Sequence, residues 1–304
     1  METPPYRLNA ALAALALALA AVELIVVPLA LLPGHAVLAA LAVSLTAAAT
    51  PFKGALVHEA IHGRLLASPW RSDLAGRALA VTSGAAFDVL RFGHLAHHRF
   101  NRHALDRPDV VPEGRGPILA RAAYYGHLLG GVYVAEVAAT LLMLAPRALL
   151  KRLARRTLAG NDDRESRTLL AGAERAIGNP ARLRRVRLDA VLALAVYGGA
   201  FTLYGGDWPI LAVAIAIRGL IVSLQDNAPH YGTPATIGAD AYDTRLPGWL
   251  APFLLHQNLH DLHHKRPDLA WSALPRAFER SGGAYSGGYL GAVLRQLKGP
   301  VRSG

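Results

Sequence analysis

His256-Gln-Asn-Leu-His260-Asp-Leu-His263-His264-Lys-Arg-Pro267 is the stretch on which the reading of this 304-residue chain turns. It spaces three imidazoles as H-x-x-H-H, with His256 four residues upstream. Moving outward, the same spacing returns at His94-Leu-Ala-His97-His98, and His58-Glu-Ala-Ile-His62 sets two rings four apart. Eight of the thirteen histidines fall in these three clusters. Neutral imidazole ligates iron, zinc and related metals, and residues three or four apart share a helix face. Each cluster therefore directs at least two ring nitrogens to one place. His230, alone after a long apolar run, brings the candidate ligands to nine: His58, His62, His94, His97, His98, His230, His260, His263 and His264. Three or four suffice for one tetrahedral zinc, whereas nine suit two metal ions with positions left open for oxygen or water. His58-Glu-Ala-Ile-His62 also fits the H-E-x-x-H of zinc peptidases, but a peptidase leaves both H-x-x-H-H clusters without a purpose.

The composition sets the solvent. Hydrophobic residues make up 53% of the chain, charged residues 17%, and the apolar ones gather into long runs, which predicts a polytopic membrane protein. The absence of cysteine excludes disulfides, iron-sulfur clusters and thiolate-bound haem, so a metal here is held by nitrogen and oxygen. A net charge of +11 is explained by basic residues between apolar segments, the positive-inside pattern, and nucleic acid is not expected as a partner.

In chain order, 10–32 and 36–56 predict two crossings, with Glu23 turned into the bundle, since it is costly against lipid. Residues 72–92 read as an interfacial helix, which keeps His94, His97 and His98 on the same side as His58 and His62. The segment 119–145 is long enough to cross, yet Arg121, His127 and Glu136 interrupt it and Gly130-Gly131 weakens its middle. Residues 147–189 then carry twelve Arg or Lys against five Asp or Glu, a cytoplasmic block, so 119–145 is expected to re-enter or lie at the interface. A last pair of crossings, 191–204 and 208–224, turns at Gly205-Gly206-Asp207, with Arg218 expected to snorkel toward the cytoplasmic headgroups. The expected fold class is an all-α polytopic membrane protein with about four transmembrane helices, interfacial or re-entrant helices and a cytoplasmic histidine-rich cap. It forms a single domain over 1–304, with both termini cytoplasmic. Beyond Pro275 the polar, Gly-rich chain is placed as a cover for the site.

Carboxylates that orient metal-bound imidazoles are sought among Asp106, Asp109, Asp226, Asp261 and Asp268. Asp261, inside the last cluster, is the leading candidate, and His256 is a candidate for the same outer role. The alternative for each carboxylate is a salt bridge to a nearby Arg. A transporter or a metal-binding membrane protein is the competing class, in which ionisable residues line a route instead of clustering at helix ends.

With these motifs in view, the chain resembles the membrane fatty-acid desaturase superfamily, which includes desaturases, hydroxylases and carotenoid ketolases. The resemblance runs over about 51–275 and is carried by the three histidine boxes, the Arg91-Phe-Gly-His94 approach and the distal Leu274-Pro275. It implies two iron ions at the cytoplasmic membrane face, here the inner membrane, and O2 as oxidant. It also implies an apolar lipid-like substrate and a separate ferredoxin or cytochrome b5-type electron donor. The implied reaction is introduction of a double bond into a lipid chain, the alternative being hydroxylation or ketolation. His230 matches the family's separate histidine. Where acyl-CoA desaturases carry an Asn four residues ahead of it, this chain has Asp226, with Asn227 adjacent.

Overall fold

In the computed structural model, which describes residues 3–111, 114, 116–158, 163–234, 236–237 and 241–302, the chain is almost wholly helical. Four segments are long and apolar enough to cross a membrane: Tyr6–Leu31, Ala36–Ile61, Pro117–Leu142 and Pro180–Asn227. Large apolar side chains face outward along them, Val37 being 75% exposed and Leu41 61%. That inverts a water-soluble surface and suits lipid.

The first segment is α1 (Tyr6–Ala21) continued by a wider π-helical stretch, Val22–Leu31, around Pro28. Proline has no N–H to give the ladder, and the widened turn accommodates the loss. The second is α2 (Ala36–Ala48) and α3 (Thr50–Ile61), which meet at Ala49 with Pro51 in the first turn of α3. Then α4 (Pro69–Val81) and α5 (Phe87–Phe100) form a hairpin. Here the expectation of one interfacial helix over 72–92 is corrected. The turn between α4 and α5 is sunk in the bundle, because donors there satisfy its free carbonyls. Lys53 Nζ (3.0 Å) and the Tyr197 hydroxyl (3.1 Å) donate to Thr82 O, and the Tyr133 hydroxyl (2.8 Å) donates to Ser83 O.

After strand β1 (Val110–Val111) come α6 (Pro117–Gly126) and α7 (Val132–Leu142), separated by non-helical backbone at Leu129 and at Gly130, whose φ of 122° is open to glycine. Next are α8 (Arg147–Leu158), α9 (Arg164–Gly178), α10 (Pro180–Tyr204) and α11 (Trp208–Asn227). The stretch 180–227 is thus two helices reversing through Gly205–Asp207. The chain closes with α12 (His260–Lys265), α13 (Leu274–Arg280), α14 (Tyr289–Arg295) and strand β2 (Val301–Arg302), which pairs in parallel with β1.

Contacts give the depth of each piece. The Tyr124 hydroxyl on α6 donates to Gln296 O (2.8 Å), and Gln296 in turn accepts from Asn227 at the end of α11 (2.9 Å). Past the break, the Tyr133 ring packs on Gly219, two helical turns before that end. Past α7, Met143 O and Ala145 O accept from Arg187, near the start of α10. Residues 117–145 therefore dip into the bundle and return to the end where the histidines lie. Both ends of the described chain lie there too. Asn9 joins Arg64 O (3.3 Å) and the Trp271 indole N–H (2.9 Å), and 296–301 sits against α6 and Asp109.

Glu23 is buried as its sequence setting requires, but Arg218 does not snorkel. It is 2% exposed and grips both Glu23 oxygens at 2.7 and 2.6 Å, with Tyr197 Oη at 2.6 Å. A partner within reach makes burial cheaper than the stretch to the headgroups. Removing one member leaves the other charge uncompensated, at a cost of about 3–5 kcal/mol. Glu23→Ala is therefore expected to melt well below the parent in detergent, with Glu23→Leu plus Arg218→Leu regaining most of the loss. An unchanged melting temperature for Glu23→Ala would deny the pair this role.

Candidate metal centre

Four pieces of chain carry the nine rings. α3 brings His58 and, just past its end, His62; α5 brings His94, His97 and His98; the turn after α11 brings His230; α12 brings His260, His263 and His264. The placement of α5 is set from outside it. Its first residues have no capping side chain of their own, and Ala86 N–H donates instead to Thr140 Oγ1 (2.8 Å) and Phe87 N–H to Asp189 Oδ2 (3.2 Å). An anion at a helix N-terminus also meets the positive end of its dipole. Arg77 ties this cap together, reaching Asp88 and Asp189 at 2.5 Å each. α12 is seated by Leu259, Leu274 and Phe278.

The rings sort into two groups that cut across the sequence clusters. His58, His62, His94, His98 and His263 bring one nitrogen each to within 4.8 Å of one another, and so do His97, His230, His260 and His264. The H-x-x-H-H spacing explains the division. Its first and last residues, four apart, share a face and join one group (His94 with His98, His260 with His264), while the middle one turns to the other.

Hydrogen bonding among the rings does not account for their packing. In the first group the Nε2 atoms of His62 and His94 lie 2.9 Å apart, those of His94 and His98 3.0 Å, and those of His98 and His263 3.0 Å. The second group repeats the row, with His97 and His230 at 3.1 Å, His230 and His260 at 3.0 Å, and His260 and His264 at 3.1 Å. A neutral imidazole has one N–H, and such a row satisfies at most two of its three contacts. Metal–nitrogen bonds of about 2.0–2.1 Å at right angles set neighbouring nitrogens about 3 Å apart, so a shared ion fits both rows. His58 Nε2, buried and without a hydrogen-bond partner among the described residues, is a further nitrogen in the first group.

Electrostatics keep the rings in the ligating form. Burial first, then Arg64, pushes His62 down to about 4, and burial with the neighbouring His62 and His97 pushes His98 down to about 3. His97 goes the other way: burial lowers it, but the hydrogen bond and charge of Asp106 outweigh that and raise it.

Of the carboxylates considered, Asp106 contacts a ring, whereas Asp261, the leading candidate, is engaged by Ala241 and Lys265. Asp106 Oδ2 lies 2.7 Å from His97 Nδ1, and Gln257, which the sequence reading did not single out, lies 3.1 Å from His58 Nδ1. Asp261 accepts from Ala241 N–H (3.2 Å) and pairs with Lys265 (2.8 Å). Asp109 is locked to Arg102 in a fully buried pair, and Asp268 pairs with Arg266. His256 stacks on Trp271, ring centres 5.9 Å apart, outside both groups. His103 pairs with Asp163 at the start of α9, and His35 is exposed at the start of α2.

Beside the second group lies a cavity of about 640 Å³. His97 and His230 are in its wall with Asp106, Tyr124, His127, Asp226 and Asn227, opposite apolar residues such as Leu105, Val110 and Ala120. None of the first group lines it. Pro300, from the tail beyond Pro275, forms part of its wall.

Residues 35–291 match the family model described as fatty acid desaturase. No curated protein and no solved structure is matched. An outer residue that fixes a ligand's ring is typically worth ten- to a hundredfold in metal affinity. Asp106→Ala and Gln257→Leu are each expected to weaken one equivalent of metal by that factor in a chelator competition and leave the other unchanged. Equal weakening of both equivalents would contradict the division into two groups.

Proposed function

Because the chain belongs to the fatty acid desaturase family, we propose that it is an O2-dependent di-iron oxidoreductase that introduces a double bond into a fatty-acyl or other lipid chain. The observation that carries this reading is the sorting of nine imidazoles into adjacent groups of five and four, the second opening on a cavity. In this reading His58, His62, His94, His98 and His263 hold one iron, and His97, His230, His260 and His264 hold the other. The irons, when bound, supply the activation of O2 and the removal of hydrogen from an unactivated C–H bond.

The chain's own part is separate from that redox chemistry. Asp106 and Gln257 fix the ring orientation of His97 and His58. The cavity walls hold the substrate against His97 and His230, and the tail at Pro300 excludes bulk water from that side. Electrons come from a separate ferredoxin or cytochrome b5-type protein. The arginine-rich run 147–187 returns to the histidine end through Arg187, so this end and both termini face the cytoplasm, with the apolar helices in the inner membrane.

A second reading, hydroxylation or ketolation, is favoured by one observation. Asp226 stands four residues before His230 and lines the cavity, where a hydroxyl on the substrate or product can donate a hydrogen bond to its carboxylate. Expression beside a matched electron donor, followed by untargeted lipid mass spectrometry, separates the two. A product lighter by two hydrogens is expected, and one heavier by an oxygen selects the second reading. The iron content should be two per chain; at most one after anaerobic reconstitution would overturn the di-iron assignment. For topology, Arg152→Cys in the naturally cysteine-free chain should label from the cytoplasmic side, and labelling only from the other side would reverse the orientation.

A further inference from the structure

The wall of the cavity carries both apolar and polar side chains. Leu105, Val110, Val111 and Ala120 make one part apolar. Beside His97 and His230 it becomes polar. Asp226 is exposed there, inside the protein, and its carboxylate makes no hydrogen bond among the described residues. His127, from the broken segment between α6 and α7, lines the same space, with its Nε2 buried and without a hydrogen-bond partner among the described residues. Asp106 adds a second carboxylate, already engaged on His97 Nδ1.

These groups discriminate among occupants. A plain methylene chain drawn past His97 would strip water from the Asp226 carboxylate and give it nothing in return, which is unfavourable. A carboxylate headgroup would meet Asp226 and Asp106 as like charges, two carboxylates against one arginine, Arg107, among the described residues of the same wall. A hydroxyl or an ammonium donates to Asp226, and a hydroxyl oxygen also accepts from an N–H of His127. Sites that leave a buried polar group unpaired reject the analogue lacking its partner far more strongly than sites that lose a methylene.

We propose that the substrate is an apolar molecule carrying a hydrogen-bond-donating group, an alcohol or an amine, within a few bonds of the carbon to be oxidised, and that Asp226 with His127 recognises this group. The proposal rests on the reading of this cavity as the substrate's place beside the second histidine group. Asp226 is then the residue that sets specificity, and the apolar wall takes the remainder of the molecule.

The test uses the full-length, iron-reconstituted protein in a non-ionic detergent and four deuterated probes of one length: decane, 1-decanol, decylamine and decanoate. Equilibrium binding is compared between parent and variant for each probe, so that partition into micelles cancels. Decanol and decylamine are expected to lose about tenfold or more in affinity in Asp226→Leu, the value of one hydrogen bond to a charged group, with decane and decanoate unchanged or improved. Asp226→Asn, of the same shape, should keep decanol; if it drops decylamine the recognised group is the cation, and if it keeps both the donor alone suffices. Asp226→Asn also guards against a misfolded Asp226→Leu, whose melting temperature is taken alongside. Equal losses for decane and decanol, or no loss for any probe in either variant, would overturn the proposal. Iron is measured on the same samples. Two irons without donor preference sink the ligand assignment alone, whereas donor preference with at most one iron sinks the di-iron reading and leaves the cavity's assignment standing.

Discussion

Nine imidazoles within reach of one another tolerate very little positive charge, and the structure depends on keeping them neutral. Each protonated ring would repel its neighbours 3 Å away, and burial already disfavours the cation. The rings therefore sit as a dense field of lone pairs. One proton per ring does not satisfy their mutual contacts, and both groups are positioned to ligate a metal ion. His97 is the informative exception, because Asp106 brings a compensating charge to it. The second histidine group thus has a carboxylate hydrogen-bonded to one ring, whereas behind His58 in the first the near neighbour is Gln257 at 3.1 Å, with the Glu59 carboxylate farther off at 3.8 Å.

Such a field has to be held at fixed depth, and the bundle does this with polar groups where lipid lies outside. The α4–α5 turn enters the bundle because Lys53, Tyr133 and Tyr197 meet its carbonyls, and Arg218 and Glu23 complete the network around Tyr197. Unsatisfied backbone inside a membrane protein is costly, so these side chains convert a liability into an anchor. Thr140 and Asp189 then fix the start of α5, and the rings on its later turns follow from helix geometry. Charges at the centre of the bundle are thereby linked to rings at its end.

Much of this was legible in the sequence, and what was not has identifiable causes. The nine histidines, the apolar runs and the weakness at Gly130 are local facts, and local facts survive folding. The division of each H-x-x-H-H between two groups follows from the 3.6-residue turn once a second target exists, but the sequence alone does not say that targets lie on both faces of α5. Arg218 looked like a snorkelling residue because its partner, Glu23, is 195 positions away. The turn at Thr82 and Ser83 looked interfacial because the three donors that permit its burial come from three other helices. Gln257 carries no motif, and only the approach of α3 brings His58 to it. Asp106 was one carboxylate among five, and distance to a ring was what distinguished it.

The tail is tied down by hydroxyls from three tyrosines and one backbone pairing. The hydroxyls of Tyr124, Tyr125 and Tyr231 donate to the carbonyls of Gln296, Leu297 and Gly299, Val301 N–H donates to Asp109 O, and Pro300 is thereby pressed against the cavity. All nine candidate ligands precede this strap in the chain, the last being His264. Along the chain the strap is thus the last piece to be made, and the chamber gains this wall only after every candidate ligand is already in the chain.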